Sequence, residues 1–226
     1  MTSRKIPFWA TLLTFLGVMV LCALGTWQLQ RLEWKKDIID QIDRAYESAG
    51  IDTIDLTKDF SYGRVEGMFL ADKALLIGPV TKDGEIGRNL IVPLQLKNQT
   101  LLVNLGWTPY ALENLPIYHR NNKQVAFEGM THKPSWNSFT PANNPDENLW
   151  YKLDIAEIAA AKKLANPAPT ILYAESSNYK FDAAFPNNTR MYPHNNHAQY
   201  AAFWFSMAFV LIVIYSLRFL NNKHKT

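Results

Sequence analysis

The chain begins and ends on apolar runs, with a polar, turn-punctuated stretch between them. Pro7 to about Leu24 is uncharged and mostly apolar. Ala198 to Leu217 adds about 20 residues without a charge, enough to cross a hydrocarbon core of about 30 Å as a helix. The pattern predicts a membrane protein: two transmembrane α-helices flanking a β-rich α+β extracytoplasmic domain. The first helix is expected over 7–29, the domain over 50–193, the second helix over 198–217 and a cytoplasmic tail over 218–226. A signal peptide competes for the first run. The run is long for a signal core, however, and bulky and polar residues follow it instead of a small-residue cleavage site. Beyond the membrane Leu29, Leu32, Ile39, Ile42 and Tyr46 keep a three-to-four spacing with charges between them, so the first helix is expected to continue to about Ser48.

The middle reads as short strands. Candidates are Tyr62 to Phe69, Ala74 to Ile77, Leu90 to Leu96, Thr100 to Trp107, Gln124 to Met130, Leu149 to Leu153 and Thr170 to Tyr173. Gly78-Pro79, Asp83-Gly84, Lys97-Asn98 and Lys133-Pro134 punctuate them. Asp154 can cap a helix to about Leu164, with Glu157 completing a capping box. Pro109 to Asn114 reads as a helical turn. A small open barrel or a sandwich accommodates this pattern.

Composition narrows the classes. The net charge of +3 on 226 residues, with dispersed lysines and arginines, gives no basic stripe for nucleic acid. Cys22 is the single cysteine and lies inside the first apolar run, which excludes an intrachain disulfide framework and a cysteine-based zinc site. Arg4 and Lys5 before the first span, and Arg218, Lys223 and Lys225 after the second, place both termini in the cytoplasm. Arg31, Lys35 and Lys36 argue the other way, but long loops translocate largely regardless of charge. The central domain is then periplasmic. With only a few residues ahead of the first span, the pattern favours the bacterial inner membrane over an imported mitochondrial protein.

Candidate chemistry gathers at the membrane boundary. His197 stands at the mouth of the second span, with Tyr200, Ala201, Trp204, Ala208 and Leu211 near its face on helical spacing. Two readings are open: a nitrogen ligand for a flat metallocofactor such as haem, or a headgroup contact in an aromatic belt. Gly17, Leu21, Gly25 and Gln28 share a face of the first helix, where the glycines let another helix approach. Trp27 would anchor at the interface. Arg31 either meets an acidic group such as a haem propionate or marks the boundary, solvated. His194 is three residues from His197, but Pro193 and the Asn195-Asn196 pair point to a turn there. No phosphate loop occurs, and Ser135, Ser138, His119 and His132 form no recognisable nucleophile–base set. The loop from Pro141 to Asp146 reads either as a partner contact or as an ordinary connection with Asx turns.

Several stretches taken together resemble the Surfeit locus protein family of cytochrome c oxidase assembly factors. They are Leu24 to Lys35, with Gly25, Trp27, Gln28, Arg31 and Lys35; Gly67-Met68-Phe69; Leu102 to Pro109; Asn143-Asn144-Pro145 with Asn148, Trp150 and Asp154; and Pro193 to Ala201 followed by Trp204-Phe205. The resemblance covers essentially the whole chain. It departs at Leu105, where the family usually carries Arg, and at His194, where Asn is usual. It implies a non-enzymatic membrane protein that binds haem a and presents it to the catalytic subunit of the oxidase, alongside other assembly factors. It makes His197 the candidate axial ligand of the haem iron, with Tyr200, Trp204, Gln28, Arg31 and Trp27 around the cofactor. A purely structural chaperone of the same subunit is the competing expectation.

Overall fold

A computed structural model describes residues 7–48, 54–117, 121–179 and 192–219. The chain falls into two compact units, with boundaries between Asp40 and Gln41 and between Met191 and Tyr192.

The first unit is a pair of helices, α1 (Phe8–Glu47), whose last turns from Gln41 belong to the second unit, and α3 (His197–Phe219). Both are long and apolar enough to cross a membrane. Phe8, Trp9, Leu13, Phe15 and Met19 on α1, and Phe209, Ile214 and Leu217 on α3, are exposed. In water such surfaces would be unfavourable; against lipid they are not. Helix α1 runs unbroken past its apolar run to Glu47 because no Gly or Pro interrupts the segment after Gly25. Helix α3 starts at His197, with Asn196 carbonyl oxygen accepting from Gln199 and Tyr200 N–H, so His197 is the first helical residue.

The second unit is a curled six-stranded sheet, in the order β1-β5-β6-β4-β3-β2. The strands are β1 (Tyr62–Phe69), β2 (Leu75–Lys82), β3 (Glu85–Gln95), β4 (Thr100–Thr108), β5 (Gln124–His132) and β6 (Pro167–Ser177). The sheet curls until β1 also pairs with β3 through Met68–Gln95 and Phe69–Leu94, closing five strands into a small barrel with β2 appended. Pairing is antiparallel except between β4 and β6, which are parallel; the helix α2 (Ile155–Lys162) lies between them in the chain and leads into β6. Alternate positions serve two cores. Leu90, Val92, Leu94, Leu101, Val103, Leu105, Phe127 and Leu172 fill the barrel. Leu75, Ile77, Ile91, Leu102, Ile171 and Trp150 pack instead with Ile158 of α2. Strand β4 is therefore buried on both faces, which accounts for its near-continuous apolar run. The end of α1 is tied in as well: Ile42 is buried, Tyr46 donates to Glu175, and its ring packs at a tilt of 40° against Tyr62.

Three expectations are corrected. The runs at Ala74 to Ile77 and Leu90 to Leu96 are parts of one long hairpin, β2–β3. Asp83 and Gly84, at φ 51° and 86°, make the tight two-residue turn that right-handed strand twist favours, and a register shift between Ile77 and Val80 absorbs Pro79. The run at Leu149 to Leu153 is not a strand: it makes only single bridges, Leu149 to Asn144 and Trp150 to Ile77. The side-chain oxygen of Asn143 takes the N–H groups of Tyr151 and Lys152 that a ladder would need. Asp154 caps α2 through Ala156 and Glu157 N–H as expected, but the Glu157 carboxylate accepts from Asn143 Nδ2 at 2.6 Å, so no capping box is completed.

The motif Asn104-Leu105-Gly106 is a bulge. Ile91 pairs with Asn104 and Leu90 with Gly106, Asn104 Oδ1 accepts the Gly106 N–H at 2.9 Å, and Gly106 adopts φ 107°. Leu105 points into the barrel core, 4% exposed. Trp107 donates its indole N–H to Val80 carbonyl oxygen and covers Gly87, where an added Cβ would lie 2.5 Å from both the ring and Thr108 carbonyl oxygen.

Gly87→Ala should cost about 1–3 kcal/mol of unfolding free energy, the usual range for overpacking, because backbone as well as ring must shift; chemical denaturation measures it. Burial lifts the Tyr173 phenol above its ordinary value; the bond to Asn104 opposes this and the Asp59 carboxylate adds to it. Above a pH of about 10 the unfolded chain loses this proton while the folded one keeps it, so stability should fall as pH rises. Denaturation midpoints between pH 9 and about 11 should show a shallower decline for Tyr173→Phe.

Candidate functional site

The two helices of the first unit pack antiparallel along a seam with four levels. The Thr11 and Tyr215 hydroxyls are 2.6 Å apart. Gly17 lies against Leu211 and Gly25 against Phe205. At the fourth level His197 Nδ1 is 2.7 Å from Gln28 Oε1. From Thr11 to Gln28 an α-helix rises about 26 Å, close to the thickness of a hydrocarbon core. Small residues permit the approach. A Cβ on Gly25 would lie 2.7 Å from the Phe205 ring, and Ala201 and Ala208 are buried on the facing side of α3.

The chemistry of the fourth level follows from its atoms. Gln28 is 8% exposed, so its amide needs partners inside the protein. Its Oε1 only accepts, so the His197 Nδ1 carries the hydrogen. This places the lone pair of the neutral imidazole on Nε2, the nitrogen turned away from Gln28. An imidazole whose one N–H is bound by a protein oxygen has the arrangement of a metal-ligating histidine. His197 itself is half-buried.

The remaining expected residues are distributed around this level. Trp204 is half-buried two turns along α3 from His197, whereas Tyr200 is exposed. Arg31 is exposed, and its guanidinium carbon lies 5.8 Å from the Trp27 ring centre and 5.1 Å from that of Trp34, with Lys35 Nζ 5.2 Å from the Trp34 ring. Its charge thus rests between two indoles and stays open to an anion. His194 Nε2 is 2.8 Å from Asn196 Nδ2, which occupies that nitrogen as an acceptor. Asn195 Oδ1 is buried with no hydrogen-bond partner among the described residues.

The other described candidates belong to the second unit. His132 Nδ1 meets Asp59 Oδ1 at 2.7 Å and its ring stacks on Phe60 in the second unit. His119 lies outside the described residues. Asn143 spends both ends of its amide on Tyr151, Lys152 and Glu157, which makes the loop before Trp150 a built connection. Sequence reasoning selected Gln28 and His197 separately and missed their bond. The shared signal was available: each is the polar residue at the same end of its apolar run. The Thr11–Tyr215 pair at the other end was missed in the same way.

Two apolar helices with a histidine–glutamine contact at one end, and a small curled sheet between them in sequence, define a class of two-helix protein with an inserted β-domain. Residues 15–209 match the SURF1 family, and the chain belongs to it. A SURF1-like protein of Dictyostelium discoideum is 28% identical over 259 residues, covering 90% of this chain and 93% of that protein. One from Rickettsia prowazekii is 32% identical over 210 residues, covering 87% and 84%. Surfeit locus protein 1 of Gallus gallus is 26% identical over 225 residues, covering 88% and 72%.

Nitrogen-15 NMR of the full-length protein should show His197 as the single tautomer protonated at Nδ1. Gln28→Ala should return the ring to a mixture dominated by the Nε2-protonated form.

Proposed function

We propose that this protein is a non-enzymatic assembly factor of the inner membrane that binds haem a and hands it to the catalytic subunit of cytochrome c oxidase. The observation that carries the reading is the 2.7 Å contact between His197 Nδ1 and Gln28 Oε1, which keeps Nε2 available as an axial ligand. Membership of the SURF1 family supports it. In this reading both helices span the bilayer, their exposed apolar faces meet lipid, both termini are cytoplasmic and the β-domain is periplasmic.

The residues fit such a cargo in kind. His197 would supply the nitrogen, Arg31 would meet a propionate, and Trp27, Trp204 and Tyr200 would offer aromatic surface to the ring. Haem a supplies a Lewis-acidic iron and a long apolar tail that favours lipid. The chain's own contribution is to hold the His197 ring at a fixed rotation and to keep its tautomer ready for the iron. With His194 Nε2 engaged by Asn196, the described residues offer one well-prepared nitrogen at this level. A single protein ligand is easier to exchange during handover than two.

A second reading has its own observation. Phe205 fills the seam against Gly25, so the space between the helices is closed at that level. A chaperone that holds the oxidase subunit without any cofactor needs no such space. Purification from cells that make haem a separates the two. The haem-a reading expects a haem spectrum from the wild-type protein, loss of it in His197→Ala, and about tenfold weaker binding in Gln28→Ala, as for a residue that orients a metal ligand. A colourless wild-type protein, or a His197→Ala variant with unchanged occupancy, favours the cofactor-free chaperone.

A further inference from the structure

A cleft of about 410 Å³ opens on the second unit. One wall is the tip of the β2–β3 hairpin, with Pro79, Ile86 and Arg88. The other is the turn after β4, with Tyr110, and the segment carrying Asn148 and Trp150. The floor is firmly built: Thr108 is fully buried and Trp150 is 2% exposed, its indole N–H donated to Asn148 Oδ1 at 2.8 Å. The rims are not covered. Ile86 is 74% exposed and Tyr110 is 53% exposed.

The lining holds a single charge, Arg88, and no acidic residue. The Arg88 side chain is exposed and makes no ion pair or hydrogen bond among the described residues. The surface does not end at the cleft. Tyr151 lines both it and a second, shallower depression of about 570 Å³ that contains Trp136 and no charged residue. Phe139, three residues on in the same loop, is 95% exposed. An arginine and several aromatic side chains, with no carboxylate among them, is the composition of the centre of a protein–protein interface; Lys162 Nζ stands behind the lining, 2.8 Å from Asn148 Oδ1, and adds charge of the same sign. The extent across both depressions exceeds what a small anion would cover, and the charge is of one sign.

We propose that this cleft docks an acidic, apolar segment of a partner polypeptide, which places an apolar side chain between Ile86 and Tyr110 and a carboxylate against Arg88. The Arg88 guanidinium offers two parallel N–H groups to that carboxylate. Pairing of Ile86 with Thr81 across the β2–β3 ladder holds the Ile86 rim in place before the partner arrives, which lowers the ordering cost of binding. None of its lining residues belongs to the helix pair.

The test uses the full-length protein in lipid nanodiscs with carbon-13-labelled isoleucine methyl groups, titrated with acetyl-Phe-Asp-Leu-amide. The Ile86 methyl signal should shift and saturate in the millimolar range. Binding should weaken about tenfold with acetyl-Phe-Asn-Leu-amide, and equally in Arg88→Gln, the worth of one charge-assisted hydrogen bond. Arg88→Glu should come to prefer acetyl-Phe-Lys-Leu-amide. Arg88 is exposed, and the remaining isoleucine methyl signals report whether each variant keeps its fold. Absence of a saturable Ile86 shift would overturn the proposal, as would equal binding of the Asp and Asn probes. Binding of 3-phenylpropionate as tight as that of the tripeptide would also overturn it, in favour of a small-anion site.

Discussion

One hydrogen bond across two helices organises what this protein can do. Gln28 brings an amide into a seam whose other polar contact, Thr11 to Tyr215, lies at its far end, and an unpaired amide there would cost several kcal/mol. His197 answers it at 2.7 Å. Between helices in a membrane such a bond contributes on the order of 1 kcal/mol net, so it orients more than it stabilises. Its effect is to choose which imidazole nitrogen carries the proton and which way the ring faces. The other levels of the seam serve this one: without Gly17 and Gly25 on α1, and Ala201 and Ala208 on α3, the backbones would stand too far apart for the two side chains to meet.

The β-domain follows a different logic. Its strands carry two cores at once, one inside the curl and one under α2, and β4 is buried along its whole length. The bulge at Asn104-Leu105-Gly106 turns Leu105 into the inner core. An arginine at that position would bring a charge into the same space, so the leucine found here is consistent with its surroundings. Motif residues that could be taken for functional groups are structural in this domain: Asn104 holds Gly106, Trp107 holds Val80 and covers Gly87, and Asn143 holds the turn before α2.

Much of this was legible in the residue pattern, for identifiable reasons. The helices were readable because a run of about 20 uncharged residues has few alternative explanations. Strands β1, β4 and β5 were readable because their apolar runs are bounded by turn residues. The β2–β3 hairpin was harder, since Gly78-Pro79 signals a break and the fold absorbs it as a register shift inside β2. Leu149 to Leu153 misled because the competing hydrogen bonds come from Asn143, whose role depends on a fold not yet formed. At the helix pair, periodicity selected Gln28 and His197 but not the pairing of one with the other, which depends on the antiparallel register. The cleft around Arg88 left no local signal at all, because its walls come from four separate parts of the chain.

The central claim is that His197 presents Nε2 to an iron while Gln28 holds Nδ1. Pulsed EPR of the full-length protein loaded with ferric haem a, prepared with nitrogen-15 histidine, tests it most directly. The account predicts hyperfine coupling to the nitrogen of one coordinated imidazole, with the Nδ1 hydrogen visible as an exchangeable proton that disappears in deuterated buffer. A spectrum with no imidazole coupling, or with two coordinated imidazoles, would contradict it.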